Sequence, residues 1–195
     1  MAKNRKEVQQ LGFWDDEVKQ LDHDEIVLWA YQNAELVLQA WLSVQTNWKK
    51  WESRAWLKSE IRCERFDLAD LPSPPARLPF PQIVKKEIER PLIKKTGYNA
   101  ATERYLGYAD LVISYYMPDE VCWDSHDQEW HVTARTGMLL VEAKTVMPTL
   151  GDLMRQINLY RCVIDDVVVV SPDGQWADIL NEQGVLFVNY PRIVA

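Results

Sequence analysis

Residues 137–160 read GMLLVEAKTVMPTLGDLMRQINLY, and this stretch decides the fold. The apolar run 138–141 predicts a buried strand, which ends in Glu142, Ala143 and Lys144. Because alternate side chains of a strand point to one face, Glu142 and Lys144 project together from its end. Burying either charge alone is costly, so the two need a metal, a partner or water.

An amphipathic helix is predicted after this strand. Thr149 and Asp152 have the spacing of a capping box, with aspartate in place of the usual Glu or Gln, and so mark the start of the helix. Gln156 and Tyr160 are four residues apart and therefore lie on a shared side of it.

A single acid, Asp110, lies near the start of a second strand-like run, 106–116. With Glu142 and Lys144 it makes three ionisable side chains on two predicted strands. These three residues are the candidate active site.

Composition indicates a globular protein. The chain has 195 residues, of which 47% are hydrophobic and 26% are charged, and its net charge is −7. Three cysteines lie far apart without a CxxC pair, which predicts reduced thiols and a cytoplasmic location. The basic start is followed by no apolar signal-like segment, and polar residues interrupt the longest apolar stretch, 26–42, so no membrane span is predicted.

Three regions are predicted along the chain. Residues 1–70 form a tryptophan-rich helical arm, with helices over 26–41 and 48–66. Residues 71–80 form a proline-rich connector and domain boundary, and residues 81–195 form an α/β core. Six of the nine tryptophans lie in the arm: Trp14, Trp29, Trp41, Trp48, Trp51 and Trp56. Packing on the core, or on a second subunit in a homodimer, is favoured for them over base stacking.

The core is predicted to be a mixed β-sheet flanked by helices. From Pro81 a helix is expected, with Glu87 beside its apolar stripe and Glu89 on nearly the opposite side. The segment 117–135 is interpreted as a loop or an added hairpin. The remaining predicted elements are strands at 106–116, 138–144, 167–170 and 185–188 and helices at 149–160 and 176–182.

A basic strip runs from residue 77 to residue 95, with six basic residues against two acids. Such a strip can follow a phosphate backbone even on an acidic protein. A solvated helix face is the alternative interpretation. The residues expected to contact DNA are Lys85, Lys86, Arg90, Lys94 and Lys95.

Over residues 81–190 the chain resembles the PD-(D/E)XK nuclease superfamily, the restriction-endonuclease-like fold. Asp110 stands where that family has its first metal-binding acid, and residues 142–144 match the (D/E)XK tripeptide. Residues 156–160 match the QxxxY signature of the RecB-like branch. Glu87 fits the extra acid that many members carry on their first helix.

The resemblance implies a Mg²⁺- or Mn²⁺-dependent nuclease that hydrolyses phosphodiester bonds in DNA, with an endonuclease favoured over an exonuclease. The metal ligands that it implies are Asp110, Glu142, the backbone carbonyl of Ala143 and Glu87. Lys144 would orient or deprotonate the attacking water, Gln156 would position the site, and Tyr160 would pack beside a nucleotide.

The chain departs from the family at two points. Ala109 replaces the proline before the first acid, and the four cysteines of the relatives that bind an iron–sulfur cluster are absent, so no cluster is expected. Neither ExK nor QxxxY is specific alone, and ExK also occurs at 17–19. The resemblance depends on the placement of both motifs together.

Two alternatives remain open. The chain could be a DNA- or protein-binding subunit of a larger restriction, recombination or transposition assembly, with weak or partner-dependent cleavage. It could also be an interaction module in which the acids are incidental.

Overall fold

The computed structural model describes residues 14–52, 61–62, 71–75, 78, 81–96 and 102–191. The predictions made for Trp56 and for the basic residue at position 77 lie outside the described residues.

Three helices open the described chain. They are α1 (Trp14–Gln32), α2 (Ala34–Val44) and α3 (Thr46–Glu52). In α2 the apolar residues recur at helical spacing, so Val37, Leu38, Trp41 and Leu42 all lie on one buried face.

The helix predicted over residues 48–66 is wrong at residues 61–62. Described helix ends at Glu52, and residues 61–62 form a short strand, β1 (Ile61–Arg62). This strand pairs in parallel with Val121 and Cys122, so hydrogen bonds to a distant strand decide its conformation.

Six strands of the described part of the chain form one mixed sheet. The five longer strands are β2 (Gln82–Thr96), β3 (Thr102–Asp124), β4 (Glu129–Ala143), β5 (Asp166–Ser171) and β6 (Leu186–Asn189). Strands β2, β3 and β4 are antiparallel neighbours, whereas β4, β5 and β6 run parallel. Strand β3 is long enough to pair with β2 along one part and with β1 along another.

The helix predicted from Pro81 is wrong, because this segment is strand β2. It pairs with β3 from Gln82 opposite Tyr116 to Thr96 opposite Thr102. Its β-branched residues suit a strand, and a proline at position 91 would break a helix interior. Strand β2 lies at the edge of the sheet, where a proline is tolerated. Its pairing with β3 therefore decides for a strand over the helix that the apolar spacing predicts.

Residues 117–135 form the hairpin that the sequence offered as one of two interpretations, and the loop interpretation is wrong. Strands β3 and β4 continue as one antiparallel pair to a turn at residues 125–128. Asp124 stabilises that turn, since its Oδ1 accepts hydrogen bonds from the backbone nitrogens of His126 (2.7 Å) and Asp127 (3.3 Å).

The C-terminal elements are confirmed to within a few residues. They are α4 (Leu150–Tyr160), β5, α5 (Ala177–Glu182) and β6. The predicted cap is present, because the backbone nitrogen of Asp152 donates to Thr149 Oγ1 at 3.3 Å.

The sheet is covered on both faces, which confirms the α/β class. One buried cluster joins α1, α2 and α3 to side chains of β3, β4 and β5. The other joins α4 and α5 to the opposite face. The N-terminal helices thus share a core with the strands, and the domain boundary at 71–80 stays a prediction. Among the described residues, no helix is both long and apolar enough to cross a bilayer.

Candidate active site

Strand register brings Asp110 and Glu142 together. Leu111 pairs with Val141, so Asp110 and Glu142 are the next residues beyond the paired segment of β3 and β4. The backbone nitrogen of Ala143 donates to Asp110 Oδ2 at 2.8 Å. The acid of one strand is thereby tied to the Glu-Ala-Lys segment of the next.

Strand β5 fixes the same segment from the other side. Glu142 pairs with Val169, and the backbone nitrogen of Lys144 donates to the carbonyl of Val170 at 2.9 Å. Because the segment has a neighbour on each side, its side-chain directions are set by backbone hydrogen bonds.

Glu142 is almost completely buried, with 2% of its surface exposed. Its Oε1 accepts from Lys144 Nζ at 2.5 Å and from Gln156 Nε2 at 2.7 Å. Its Oε2 is buried without a hydrogen-bond partner among the described residues. A buried carboxylate oxygen left in this way is destabilising, so a ligand at Oε2 would stabilise the site.

The electrostatics of the site favour a bound cation. Burial, and then the negative charge of Asp110, raise the pKa of Glu142 to about 7, although the Lys144 ammonium opposes the shift. One of these two neighbouring acids ionises poorly. A divalent cation would stabilise the ionised forms of both. The donor set fits a hard, oxygen-preferring ion.

Gln156 and Tyr160 connect α4 to this carboxylate. Gln156 Nε2 donates both to Glu142 Oε1 and to Tyr160 Oη, the latter at 2.6 Å. Tyr160 Oη donates to the carbonyl of Tyr108 at 3.3 Å. Burial, and then the charge of Glu142, raise the pKa of Tyr160, so its hydroxyl keeps its proton. The pair positions Glu142 and links it to β3.

Glu87 does not lie on a helix, which removes the reason for placing it in the site. On β2 its carboxylate accepts from Lys85 Nζ at 2.8 Å and from Arg90 Nη1 at 3.1 Å. The hydrogen bond from Lys85 holds the pKa of Glu87 below its ordinary value. Two cations therefore engage the side chain that was expected to bind metal.

Glu89, rather than Glu87, lies beside Asp110. It stands opposite Asp110, because the flanking residues Ile88 and Arg90 pair with Leu111 and Ala109. Its φ of 50° interrupts the regular strand at that point. Because the sequence pattern predicted a helix here, Glu89 was expected on the side of that helix opposite Glu87.

A cavity of about 470 Å³ opens beside Asp110. Its lining residues are His23, Asp24, Val27, Ile88, Glu89, Tyr108 and Asp110. His23 Nε2 lies 3.3 Å from Asp110 Oδ2, and this hydrogen bond raises the pKa of His23. The sequence gives no signal for His23, since only the packing of α1 on the sheet brings it to Asp110.

The basic strip does not form one face, because neighbouring residues of a strand alternate sides. Lys86 Nζ donates to the carbonyl of Tyr31 at 2.9 Å and lies 4.1 Å above the Tyr31 ring. Lys95 pairs with Glu103 at 3.4 Å. With Lys85 and Arg90 held by Glu87, much of the strip is engaged within the protein.

A second group of ligand atoms lies at the far end of the β3–β4 hairpin. Ligand atoms of Asp124, Asp127 and His131 lie within 4.8 Å of one another, so this group could hold a metal ion. It is at least partly exposed, and nothing in it identifies a particular metal. None of these three residues was among the candidates drawn from the sequence.

Comparisons with protein-family models, with curated proteins and with solved structures return no match. The resemblance to PD-(D/E)XK nucleases therefore depends on the residues and on their geometry.

Proposed function

We propose that this protein is a Mg²⁺- or Mn²⁺-dependent nuclease of the PD-(D/E)XK type that hydrolyses phosphodiester bonds in DNA, and that it acts as an endonuclease. The observation that carries the proposal is the hydrogen bond from the backbone of Ala143 to Asp110. It brings two carboxylates and a lysine, contributed by strand β3 and by the end of strand β4, to one place.

The order of elements supports the restriction-endonuclease-like fold. An acid lies in one strand, the Glu-Ala-Lys segment ends the next, and Gln156 and Tyr160 lie on the following helix. That helix leads into a parallel strand, β5. If the acids were incidental, nothing would favour this order of an acid, the Glu-Ala-Lys segment and the helix with Gln156 and Tyr160.

Asp110, Glu142 and the carbonyl of Ala143 are the residues that would hold the metal, since they offer the oxygen ligands that Mg²⁺ and Mn²⁺ prefer. When bound, the ion supplies Lewis-acid stabilisation of the negative charge that develops on the phosphoryl group. His23 and Glu89, in the cavity beside Asp110, are further candidate ligands. Glu87 is not needed in this set.

Lys144 would act on the attacking water. Its side chain is 21% exposed and reaches Glu142 from the same strand end. An ammonium held there can donate to a non-bridging phosphate oxygen and orient the water, or accept its proton when neutral. Gln156 and Tyr160 would keep the carboxylate of Glu142 in position.

A nuclease assay with purified protein tests the proposal. Wild-type protein should cleave DNA in Mn²⁺ and show no cleavage in EDTA. Lys144→Ala should lower the cleavage rate by about 100-fold or more while calorimetric Mn²⁺ binding persists, because the lysine acts in the chemical step. Lys49→Ala, an exposed lysine on α3, is the matched control and should cleave normally. Full activity in Lys144→Ala would remove the lysine from the mechanism.

A second candidate function is a DNA- or protein-binding subunit whose cleavage depends on a partner. The ion pairs that occupy Lys85, Arg90 and Lys95 favour dependence on a partner, because they leave this chain fewer cations of its own for DNA. Binding of DNA without cleavage by purified protein in Mn²⁺ would support this candidate over a self-sufficient enzyme.

A further inference from the structure

Two tyrosines of β3 form an exposed pair, and one of them, Tyr108, lines the cavity beside Asp110. Tyr105 and Tyr108 are 54% and 58% exposed, and their ring centroids lie 5.4 Å apart with the planes at 69°. Large apolar side chains that are exposed singly are ordinary, but two rings in contact beside a cavity make a continuous surface. Neither ring belongs to the two buried clusters.

A β-bulge places both rings on one side. Leu92 pairs with Gly107, whereas Ile93 pairs with Tyr105, so Leu106 is the extra residue of β3. In a regular strand, residues three apart point to opposite faces, and one extra residue brings them to the same face. Gly107 has a φ of +148°, which glycine adopts without strain.

Tyr108 is tied to the candidate active site through its backbone and through its position. Its carbonyl accepts from Tyr160 Oη, which is linked through Gln156 to Glu142. Tyr108 and Asp110 both line the cavity. A ligand that lies on the tyrosine pair would therefore extend directly to Asp110.

The chemistry of this surface suits an unpaired nucleotide. Stacking of a base on an aromatic side chain is worth roughly 5- to 100-fold in affinity per base, and it requires a free base face. In a duplex the neighbouring base pairs cover those faces.

We propose that Tyr105 and Tyr108 form a base-stacking platform and that the substrate is single-stranded DNA, as an unpaired end, flap or gap. A base lies on the tyrosine pair while the neighbouring phosphate enters the cavity at Asp110. This assignment rests on the nuclease function proposed above for its chemistry, but the platform can be tested by binding alone.

The test is fluorescence anisotropy of the full chain in EDTA, with three probes of equal length: oligothymidylate, blunt duplex and an abasic single strand. Wild-type protein should bind oligothymidylate more tightly than the other two probes. The double variant Tyr105→Ala/Tyr108→Ala should lose about tenfold or more in affinity for oligothymidylate, and twofold or less for the abasic strand, which keeps the phosphates but has no bases. The double variant Tyr105→Phe/Tyr108→Phe keeps both rings and should bind normally.

Tyr116→Ala is the matched control, since Tyr116 is an exposed tyrosine of the same strand that does not line the cavity. Circular dichroism establishes that each variant is folded. Equal losses on base-bearing and abasic strands, a loss of similar size in Tyr116→Ala, or no binding by wild-type protein would each overturn the platform.

The two proposals fail separately. Cleavage of duplex DNA in Mn²⁺ without any preference for base-bearing single strands would overturn the platform and leave the nuclease standing. Base-dependent binding that the alanine variants lose, with no cleavage in Mn²⁺, would keep the platform and remove the nuclease.

Discussion

At the scale of single residues, Glu142 is subject to two opposing effects: burial favours its protonated form, and a bound cation would favour its ionised form. It is buried, its Oε2 has no hydrogen-bond partner among the described residues, and burial raises its pKa to about 7. At neutral pH the metal-free protein therefore holds both the protonated and the ionised form. A divalent cation would favour the ionised form and lower this pKa, so metal binding releases protons near neutral pH.

The raised pKa of Glu142 has a consequence for stability in EDTA. Both the folded and the unfolded states bind the proton below about pH 4.5, whereas the unfolded state releases it first as the pH rises toward 7. The metal-free protein should therefore lose up to about 3 kcal/mol between about pH 5 and pH 8.5 through this group. Glu142→Gln should abolish most of that loss.

Urea unfolding at the two pH values measures the difference between wild type and variant, so that titrations common to both cancel. Glu35→Gln, at an exposed glutamate of α2, should keep the wild-type pH dependence. Parallel stability–pH curves for wild type and Glu142→Gln would show that burial does not raise this pKa.

The sequence predicted more of the site's residues than of its surroundings. Asp110 and Glu142 lie on strands that apolar runs predict, Lys144 follows the second strand directly, and Gln156 lies on a helix whose cap the sequence predicts. His23 comes from a helix whose docking on the sheet leaves no local pattern. Its approach to Asp110 is a tertiary event that spacing along the chain cannot encode.

At the scale of elements, β2 shows how an apolar pattern can predict a helix where a strand forms. Ile83, Val84, Ile88 and Leu92 fit a helical stripe as well as an edge strand, and periodicity alone cannot separate the two. Pairing with β3 along the whole segment decides for the strand. That one error placed Glu87 beside the acids and Glu89 away from them.

Gly137 is needed where β4 crosses the ring of Tyr115. The two residues pair across β3 and β4, and a Cβ at position 137 would overlap the Tyr115 ring. Tyr115 is 2% exposed within the core, so its ring has little room to move. Gly137→Ala should therefore cost about 1–3 kcal/mol in the free energy of unfolding.

Gly151→Ala is the matched control, because a Cβ there meets nothing within 4 Å. It should leave stability unchanged or raise it slightly, since alanine favours helix α4. Denaturant unfolding of both variants measures the contrast. Equal stability of the two would mean that the Tyr115 ring does not cover Gly137.

At the scale of the whole molecule, antiparallel and parallel pairing meet at β4. Its antiparallel pairing with β3 brings Asp110 alongside, and its parallel pairing with β5 requires a crossover, which α4 supplies. The crossover helix then returns over the sheet and delivers Gln156 and Tyr160 to the end of β4. The candidate site is thus a product of the mixed topology.

The order of elements from residue 137 onward could be predicted because turns, caps and short apolar runs are local signals. The long β3–β4 hairpin and the docking of the N-terminal helices could not be fixed, since both depend on partners far along the chain. Those helices share the core of the sheet. Helix α1 also lines the cavity beside Asp110, which gives the N-terminal region a part in the site.

The most direct measurement of the central claim is an anomalous difference map from crystals soaked in Mn²⁺. We expect a peak in contact with the carboxylates of Asp110 and Glu142 and with the carbonyl of Ala143, and we expect it to vanish in Asp110→Asn crystals. A peak confined to Asp124, Asp127 and His131, or no peak at all, would contradict the claim that Asp110, Glu142 and Ala143 form a divalent-metal site.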